Sequence, residues 1–362
     1  MININYIVLW AIEESFMRKF FLTVSVVLIL AIVVIQVSSY FSPFAKSMLV
    51  RLVFNVGATV ASHKMEGHVP EHISERLDVP YDATDKEALL DIFSSVDLEK
   101  FNHGLPTIVW THGGGWVSGN KSQVRNYAKI LASKGFTVVA IDYSVAPGAR
   151  YPTPVRQALK ALSYLNRHAA AFKIDPKKIF LAGDSAGAQI TAQVANILSS
   201  PEYARAIGLA PTMKRENVLG LLLYCGIYDP AIVDVKGGWG SYIKAMMWSY
   251  FGKKDFQNTS GFKEFSVVDH MTHDFPPFFV TVGNGDTVMP QSLSLVRKAE
   301  SLGVRHDMLF FEAEYSPKLK HEYQFDLDSD AGKQALQRAL AFMNARLKDT
   351  NQETKSLISL QH

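Results

Sequence analysis

The pentapeptide Gly183-Asp184-Ser185-Ala186-Gly187 decides the fold of this 362-residue chain. It matches the G-x-S-x-G pattern, which places a serine on a sharp turn between a strand and a helix. The flanks fit, because residues 178–182 predict a strand and residues 186–198 predict a helix. Glycines flank the serine because side chains there would collide across the turn. The pattern predicts that Ser185 is a strained, exposed nucleophile, and the helix N-terminus beside it favours developing negative charge.

From about residue 73 onward, strand-like apolar runs alternate with amphipathic helices. This alternation predicts βα crossovers and a mostly parallel sheet with helices on both faces. The predicted strands are residues 88–93, 107–111, 137–142, 178–182, 218–224, 278–282 and 308–312. The predicted helices are residues 122–133, 154–168, 186–198, 291–302 and 332–347.

Two stretches break this alternation, residues 40–72 and 231–270, and both suit a cap over an active site. The first predicts a helix over 40–62 that could lie on a membrane surface or cap the site. Its apolar residues recur at four-residue spacing: Phe44, Met48, Leu52, Val56 and Val60. The second contains aromatic residues over 239–251, which suit either an apolar acyl or alcohol pocket or ordinary core packing.

A second chemical signal is His112-Gly113-Gly114-Gly115-Trp116, directly after the predicted strand 107–111. Consecutive glycines let backbone N–H groups approach an oxyanion closely, and a tetrahedral intermediate needs two or three aimed donors. Loops of the HGGG type act together with the N–H of the residue after the nucleophile. We expect Gly113, Gly114 and Ala186 to supply the oxyanion donors, and His112 to brace the loop rather than act as a base.

The acid and the base are expected after the serine, in that order, and at the carboxyl ends of strands. Asp286 follows the strand 278–282 in a glycine-containing turn, and Asp229 is the alternative acid. His321 follows the strand 308–312 on a loop before the last helix. Three other downstream histidines precede strands and so belong at the opposite end of the sheet: His270, His273 and His306.

These positions predict a catalytic triad for acyl transfer. Ser185 would attack an acyl carbon, and His321 would take its proton and deliver it to the leaving group. Asp286 would hold the imidazole tautomer and stabilise its cation.

Composition excludes several classes of function. The net charge of +3, from 37 Lys+Arg and 34 Asp+Glu, is too small to indicate nucleic-acid binding. The 11 histidines and one cysteine show no C-x-x-C or H-E-x-x-H spacing, so no metal site is indicated. Cys225 lies in an apolar run, which indicates a buried small hydrophobe.

Residues 1–39 are predicted to be a membrane anchor or a signal segment. Residues 20–37 form an uncharged apolar run at the lower limit for a span, directly after Arg18 and Lys19. The run is longer than the usual signal core, which favours an uncleaved anchor over a cleaved signal and a secreted protein. The basic pair favours a catalytic domain outside the cytoplasm. A buried core helix is the alternative, but the run has no polar stripe.

Residues 75–345 resemble the hormone-sensitive lipase family of α/β-hydrolases, which includes bacterial esterases and the membrane-anchored arylacetamide deacetylases. The motifs are HGGGW at 112–116, GDSAG at 183–187, Gly285-Asp286, His321-Glu322 and the segment starting at Asp142. That segment usually reads DYRLAPE in the family, whereas this chain has Ser144, Val145 and Gly148. The resemblance implies the α/β-hydrolase fold, with a mostly parallel eight-stranded sheet, helices on both faces and a helical cap. It also implies a carboxylic-ester substrate and no metal or cofactor.

We therefore expect a hydrolase domain over residues 40–348, with its cap drawn from 40–72 and 231–270, and a polar tail at 349–362. The expected partners are a small ester with an apolar acyl or alcohol part and, through the N-terminal segment, a membrane. HGGGW also satisfies the HGGxW pattern of kynurenine formamidases and resembles plant isoprenylcysteine methylesterases, so amide or thioester-like substrates stay open. A non-catalytic binding protein is a further alternative, although neither the triad nor the glycine loop is damaged in the sequence.

Overall fold

The computed structural model describes residues 4–95 and 104–359, with side chains over 14–95 and 104–350. Its centre is a single sheet of eight strands. They are β1 (Ile73–Pro80), β2 (Leu89–Ser95), β3 (Leu105–Thr111), β4 (Thr137–Ile141), β5 (Ile174–Asp184), β6 (Val218–Tyr224), β7 (Phe278–Val282) and β8 (His306–Phe310). Their order across the sheet is β1-β2-β4-β3-β5-β6-β7-β8.

The sheet is mostly parallel, as the sequence predicts. Only β2 runs antiparallel to its neighbours β1 and β4, and every other neighbouring pair is parallel. The carboxyl ends of β3, β5, β6, β7 and β8 therefore share one edge. In an open parallel sheet, this edge is where ligands bind.

Helices cover both faces of the sheet. Within the described residues they are α1 (Ile4–Phe41), α2 (Phe44–Lys64), α3 (Arg125–Ala132), α4 (Thr153–Arg167), α5 (Ser185–Ser199), α6 (Pro201–Ala206), α7 (Gly240–Phe251), α8 (Ser260–Glu264), α9 (Val267–His270), α10 (Met289–Leu302) and α11 (Asp330–Ser359). Apolar side chains of α4, α5 and α10 form a core with one face, and those of α3 and α11 form a core with the other. The predicted two-faced α/β-hydrolase architecture is confirmed.

Several elements differ from the sequence prediction, among them β5, which begins at Ile174, four residues before the predicted strand. β1 was not predicted. Its apolar residues Ile73, Leu77 and Val79 fall on alternate positions, but Glu75 interrupts the alternation, and five consecutive residues of the strand are exposed. β8 begins at His306, two residues before the predicted strand. α11 continues to Ser359, so residues 349–359 of the predicted polar tail are helical, and residues 360–362 lie outside the described residues. Gln352, Glu353 and Lys355 in this segment are good helix formers, and polarity alone does not end a helix.

The helix α2 packs against α7 with a face that periodicity did not predict. Ser47 is buried, and its Oγ lies 2.7 Å from Ser249 Oγ and donates to the Ala245 carbonyl at 3.3 Å. The predicted apolar positions Leu52 and Val56 instead face outward. α2 and the 231–270 insert are thus in contact, as a cap requires.

The helix α1 contains the apolar run predicted at 20–37. Residues 14–41 are long and apolar enough to cross a membrane by length and composition. Their most apolar 18-residue window has a mean hydropathy of 2.9, and none of this window is buried against the domain. The alternative of a buried core helix is therefore wrong. A signal sequence near the N-terminus meets the same criteria.

Candidate active site

Ser185 occupies the sharp turn that its pentapeptide predicts. It is the first residue of α5, directly after β5, and its φ of +49° lies in the left-handed region that non-glycine residues rarely adopt. A Cβ on Gly183 would lie 2.5 Å from the carbonyl carbon of Gly187. A Cβ on Gly187 would overlap the carbonyl oxygen of Thr111. The two flanking glycines are therefore required by close packing of the turn.

The structure brings Ser185, His321 and Asp286 together at the carboxyl edge of the sheet. His321 Nε2 lies 3.0 Å from Ser185 Oγ, and His321 Nδ1 lies 2.6 Å from Asp286 Oδ2. The second oxygen of Asp286 accepts a hydrogen bond from the Val288 N–H at 3.0 Å. The Asp286 side chain is 2% exposed and that of His321 is 40% exposed. The imidazole thus links a buried carboxylate to a serine hydroxyl, with one edge open to substrate.

The Asp286 carboxylate sets the charge state of the imidazole. Burial lowers the pKa of His321, but its hydrogen-bonded neighbours outweigh this and raise the pKa above its usual range. Cys225 is one of these neighbours, and burial raises the pKa of its thiol to about 11. Because that thiol is neutral where His321 titrates, we attribute the raised pKa to Asp286. The carboxylate therefore stabilises the imidazolium that forms when a serine proton is taken.

The alternative acid and bases lie elsewhere. Asp229 Oδ1 accepts from the Ala231 N–H at 3.0 Å, and its Oδ2 accepts from Ser294 Oγ at 2.7 Å, so both oxygens are engaged away from the imidazole. His306 begins β8 and stacks on Phe278, at the amino end of the strands. His270 stacks on Tyr203, and His273 is exposed beside Asp274. Reasoning from strand ends selects the same residues as the geometry.

The glycine loop follows β3 beside the serine, but one predicted donor is already engaged. The Gly113 N–H donates to Asp184 Oδ2 at 2.8 Å, so it is not free to bind an oxyanion. The N–H groups of Gly114 and Ala186 have no acceptor among the residues that the structure describes. The same holds for Gly115, which sequence reasoning did not single out. Both Gly114 (φ +113°) and Gly115 (φ +58°) need glycine's conformational freedom.

His112 braces this loop. Its ring is buried and stacks on Tyr143 with 4.2 Å between ring centres, and Nδ1 lies 2.7 Å from the Gly113 carbonyl oxygen. A carbonyl only accepts, so Nδ1 carries a proton. Burial lowers the pKa of His112 to about 4 despite that bond. The ring is therefore neutral and structural, in agreement with the sequence-based expectation.

A carboxyl pair missed by sequence reasoning links the three loops of the site. Asp184 directly precedes Ser185, and its Oδ1 accepts from Trp110 Nε1 at 2.7 Å. Its side chain is hydrogen-bonded to Glu322, the residue after His321. Burial, followed by the charge of Glu322, raises the pKa of Asp184 well above its usual range. The pair therefore joins the serine turn, the glycine loop and the histidine loop.

One group of the described residues has the donor atoms of a metal site. Ligand atoms of Cys225, Asp286 and His321 all lie within 4.8 Å of one another. A metal there would take the nitrogen and oxygen that bind each other in the candidate triad. The group is thus better matched to proton transfer than to holding a resident ion.

Proteins of similar sequence are named esterases. The sequence is 27% identical to an acetyl esterase of Salmonella paratyphi B over 251 residues, covering 67% of this chain and 73% of that protein. It is 25% identical to esterase LipQ of Mycobacterium tuberculosis, covering 63% of this chain and 53% of that protein.

The solved structures show the fold. An inhibited esterase B from Lactobacillus rhamnosis superimposes with a TM-score of 0.76 at 22% identity, covering 86% of this chain and 99% of that one. A bacterial heroin esterase superimposes with a TM-score of 0.64 at 18% identity, covering 82% and 90%. The family profile described as "alpha/beta hydrolase fold" matches residues 108–316, more than half of the chain. The chain belongs to the α/β-hydrolase fold family, as a hydrolase of the carboxylesterase-like type.

Proposed function

We propose that the chain cleaves carboxylic esters through an acyl-enzyme formed on Ser185. His321 accepts the serine proton as the hydroxyl attacks the acyl carbon, and then gives it to the departing alcohol. Water then attacks the acyl carbon as His321 takes its proton. His321 returns that proton to Ser185 Oγ as the bond between Oγ and the acyl carbon breaks, which releases the carboxylic acid and regenerates the serine. Asp286 keeps the Nδ1 proton in place so that Nε2 can accept. The observation that carries the proposal is the continuous chain Ser185 Oγ–His321–Asp286, with separations of 3.0 and 2.6 Å.

The oxyanion of each tetrahedral intermediate is bound by backbone amides. We propose Gly114 and Ala186 as donors, joined by Gly115, whose N–H is equally unengaged. Gly113 acts differently, because its N–H holds Asp184 and thereby fixes the start of the loop. Aimed amides of this kind are each worth about 10²–10³ in kcat.

The acyl group is proposed to be small and the alcohol apolar. Support for the acyl side comes from the relatives, several of which are named acetyl esterases. The alcohol side rests on the sequence-based expectation for the aromatic stretch 239–251, within which Tyr250 is buried and stacks on Trp116 as core packing. Amide cleavage on the same residues is the competing reaction.

The N-terminal segment is proposed to be an uncleaved anchor. Residues 20–37 lie in a helix that is unburied throughout its apolar window. Arg18 and Lys19 at its start favour a catalytic domain outside the cytoplasm. Retention of the full-length chain in membranes after alkaline carbonate extraction is the expected result. A shortened chain released into the soluble fraction would show a cleaved signal instead.

The ester proposal is tested with p-nitrophenyl acetate and the matched acetanilide. We expect ester turnover to exceed anilide turnover and to disappear in Ser185→Ala. Ser301→Ala, a serine exposed on α10 and far along the chain, is the matched control and should keep full activity. Equal turnover by Ser185→Ala and the unchanged chain would refute the proposed nucleophile.

A further inference from the structure

The outward face of α2 is apolar and unusually free of charge. Leu52, Val53, Val56 and Val60 are 61%, 49%, 56% and 52% exposed. Between Arg51 and His63 the sequence contains no charged residue. A helix that borders water normally places polar and charged side chains on that side. The outward face therefore has the composition of a buried surface.

The opposite face of α2 is fixed to the catalytic domain. Val50 is buried. Arg51 donates to the Val117 carbonyl at 2.6 Å and to the Ala146 carbonyl at 2.7 Å. Asn55 Oδ1 accepts from the Gly119 N–H at 3.1 Å. Although α2 is long and apolar enough to span a membrane, these contacts hold it along the domain, so it can only lie flat against an apolar phase.

The neighbouring elements identify that phase as a lipid bilayer. α1, with its unburied apolar window, ends at Phe41, and α2 begins at Phe44. At the junction Lys254 Nζ donates to the Tyr40 carbonyl at 2.8 Å and lies 3.8 Å from the centre of the Tyr40 ring. Lys253 beside it is exposed. Aromatic rings and lysines collect at the headgroup level of membranes, where lysines attract anionic lipids.

We propose that α2 lies in the plane of the bilayer surface with its outward face among the acyl chains, and that the enzyme draws membrane-dissolved esters from that bilayer. This inference rests on the proposed esterase function and narrows its substrates to esters that partition into lipid. The site is close enough for direct transfer. On the side of α2 that faces the domain, a ring carbon of Phe54 lies 3.4 Å from the position that a Cβ on Gly115 would occupy. The glycine loop is thus about one helix diameter, ~10 Å, from the acyl chains.

The depth of α2 can be measured in the full chain, because its one cysteine, Cys225, is buried. A polarity-sensitive fluorophore is attached at Val56→Cys or at Glu300→Cys, an exposed position on α10. The protein is reconstituted into phosphatidylcholine vesicles containing phosphatidylglycerol and a nitroxide-labelled lipid. We expect strong quenching at Val56→Cys and little at Glu300→Cys. Equally weak quenching at both, or self-quenching at Val56→Cys in lipid-free detergent that indicates a second copy on this face, would overturn the proposal.

Activity supplies an independent test. The triple variant Leu52→Gln, Val56→Gln, Val60→Gln should hydrolyse p-nitrophenyl acetate in detergent at the unchanged rate. Its turnover of hexadecyl acetate dissolved in vesicles should fall about fivefold or more, because surface binding scales with buried apolar area. The proposed role of α2 would be overturned if the triple variant hydrolysed hexadecyl acetate in vesicles as fast as the unchanged chain, or if its turnover of both esters fell by the same factor. If the unchanged chain hydrolyses neither ester, the esterase proposal fails while the quenching result stands.

Discussion

Replacing Asp286 by asparagine should remove most activity without unfolding the protein, because the carboxylate uses both of its oxygens. Oδ2 faces His321 Nδ1 at 2.6 Å, and Oδ1 accepts from the Val288 N–H at 3.0 Å. Asparagine offers one oxygen and one NH2 group at the same two places. If the oxygen faces His321, the NH2 confronts the Val288 N–H, and that donor is unpaired. If the amide turns over, every hydrogen bond is made, but the imidazole must carry its proton on Nε2.

The second orientation is the more stable one, because the first leaves one partly buried N–H donor unpaired, which costs about 1–3 kcal/mol. This corresponds to about 5–150-fold in population. In that orientation Nε2 cannot accept the proton of Ser185. In the minor orientation Nε2 can accept the proton, but no carboxylate stabilises the imidazolium that forms. We therefore expect kcat to fall about 10²–10⁴-fold, the upper value matching amide replacement of the carboxylate in serine proteases.

The assay is kcat and KM on p-nitrophenyl acetate, with thermal unfolding measured on the same samples. Asp229→Asn is the matched control. Its carboxylate also accepts two hydrogen bonds, but one comes from the Ser294 hydroxyl, which can rotate and accept from an amide. This control should stay within about threefold of the unchanged chain, since no partner is left unpaired. The reasoning is refuted if Asp286→Asn retains more than about a tenth of the kcat of the unchanged chain, or if Asp229→Asn is the variant that loses its activity.

Three further predictions follow from the site. The acid limb of kcat/KM should have its midpoint above pH 6.5, because only neutral His321 accepts a proton and its pKa is raised; a midpoint below that value would contradict the pairing. Gly187→Ala should lower the melting temperature and abolish turnover, because its methyl group meets backbone, whereas Gly57→Ala has open space and should not; equal melting temperatures would argue against the tight turn. Asp184→Ala leaves two buried N–H donors without acceptors. It should lower the free energy of unfolding, measured in urea, by about 2–6 kcal/mol, which is about 1–3 kcal/mol for each donor; an unchanged free energy would contradict the role of Asp184 in joining the loops.

Local motifs and strand ends were enough to predict most of the candidate site. The serine turn and the glycine loop are contiguous in sequence, so their geometry is encoded within a few residues. Asp286 and His321 are distant from Ser185, but both follow parallel strands, whose carboxyl ends share an edge. That single rule also placed His306 at the opposite end.

What the sequence did not predict depends on tertiary contacts. Which glycine amide is free was decided by Asp184, whose side chain reaches Gly113 from another strand. The partnership of Asp184 with Glu322 has no sequence pattern, since the two residues come together only when the loops meet. Periodicity found an apolar stripe on α2 but could not tell inside from outside. The structure shows Val56 outside, which favours the membrane-surface alternative over packing in the cap for this stripe.

The nucleophile itself is most directly tested by mapping the adduct of a fluorophosphonate on the purified full chain. Mass spectrometry should find one phosphonyl group, on the peptide that contains Ser185, and none on Ser185→Ala. His321→Ala should label at least about a hundredfold more slowly, since general-base assistance contributes about 10²–10⁴. An adduct on a different residue, or undiminished labelling of Ser185→Ala, would contradict the account.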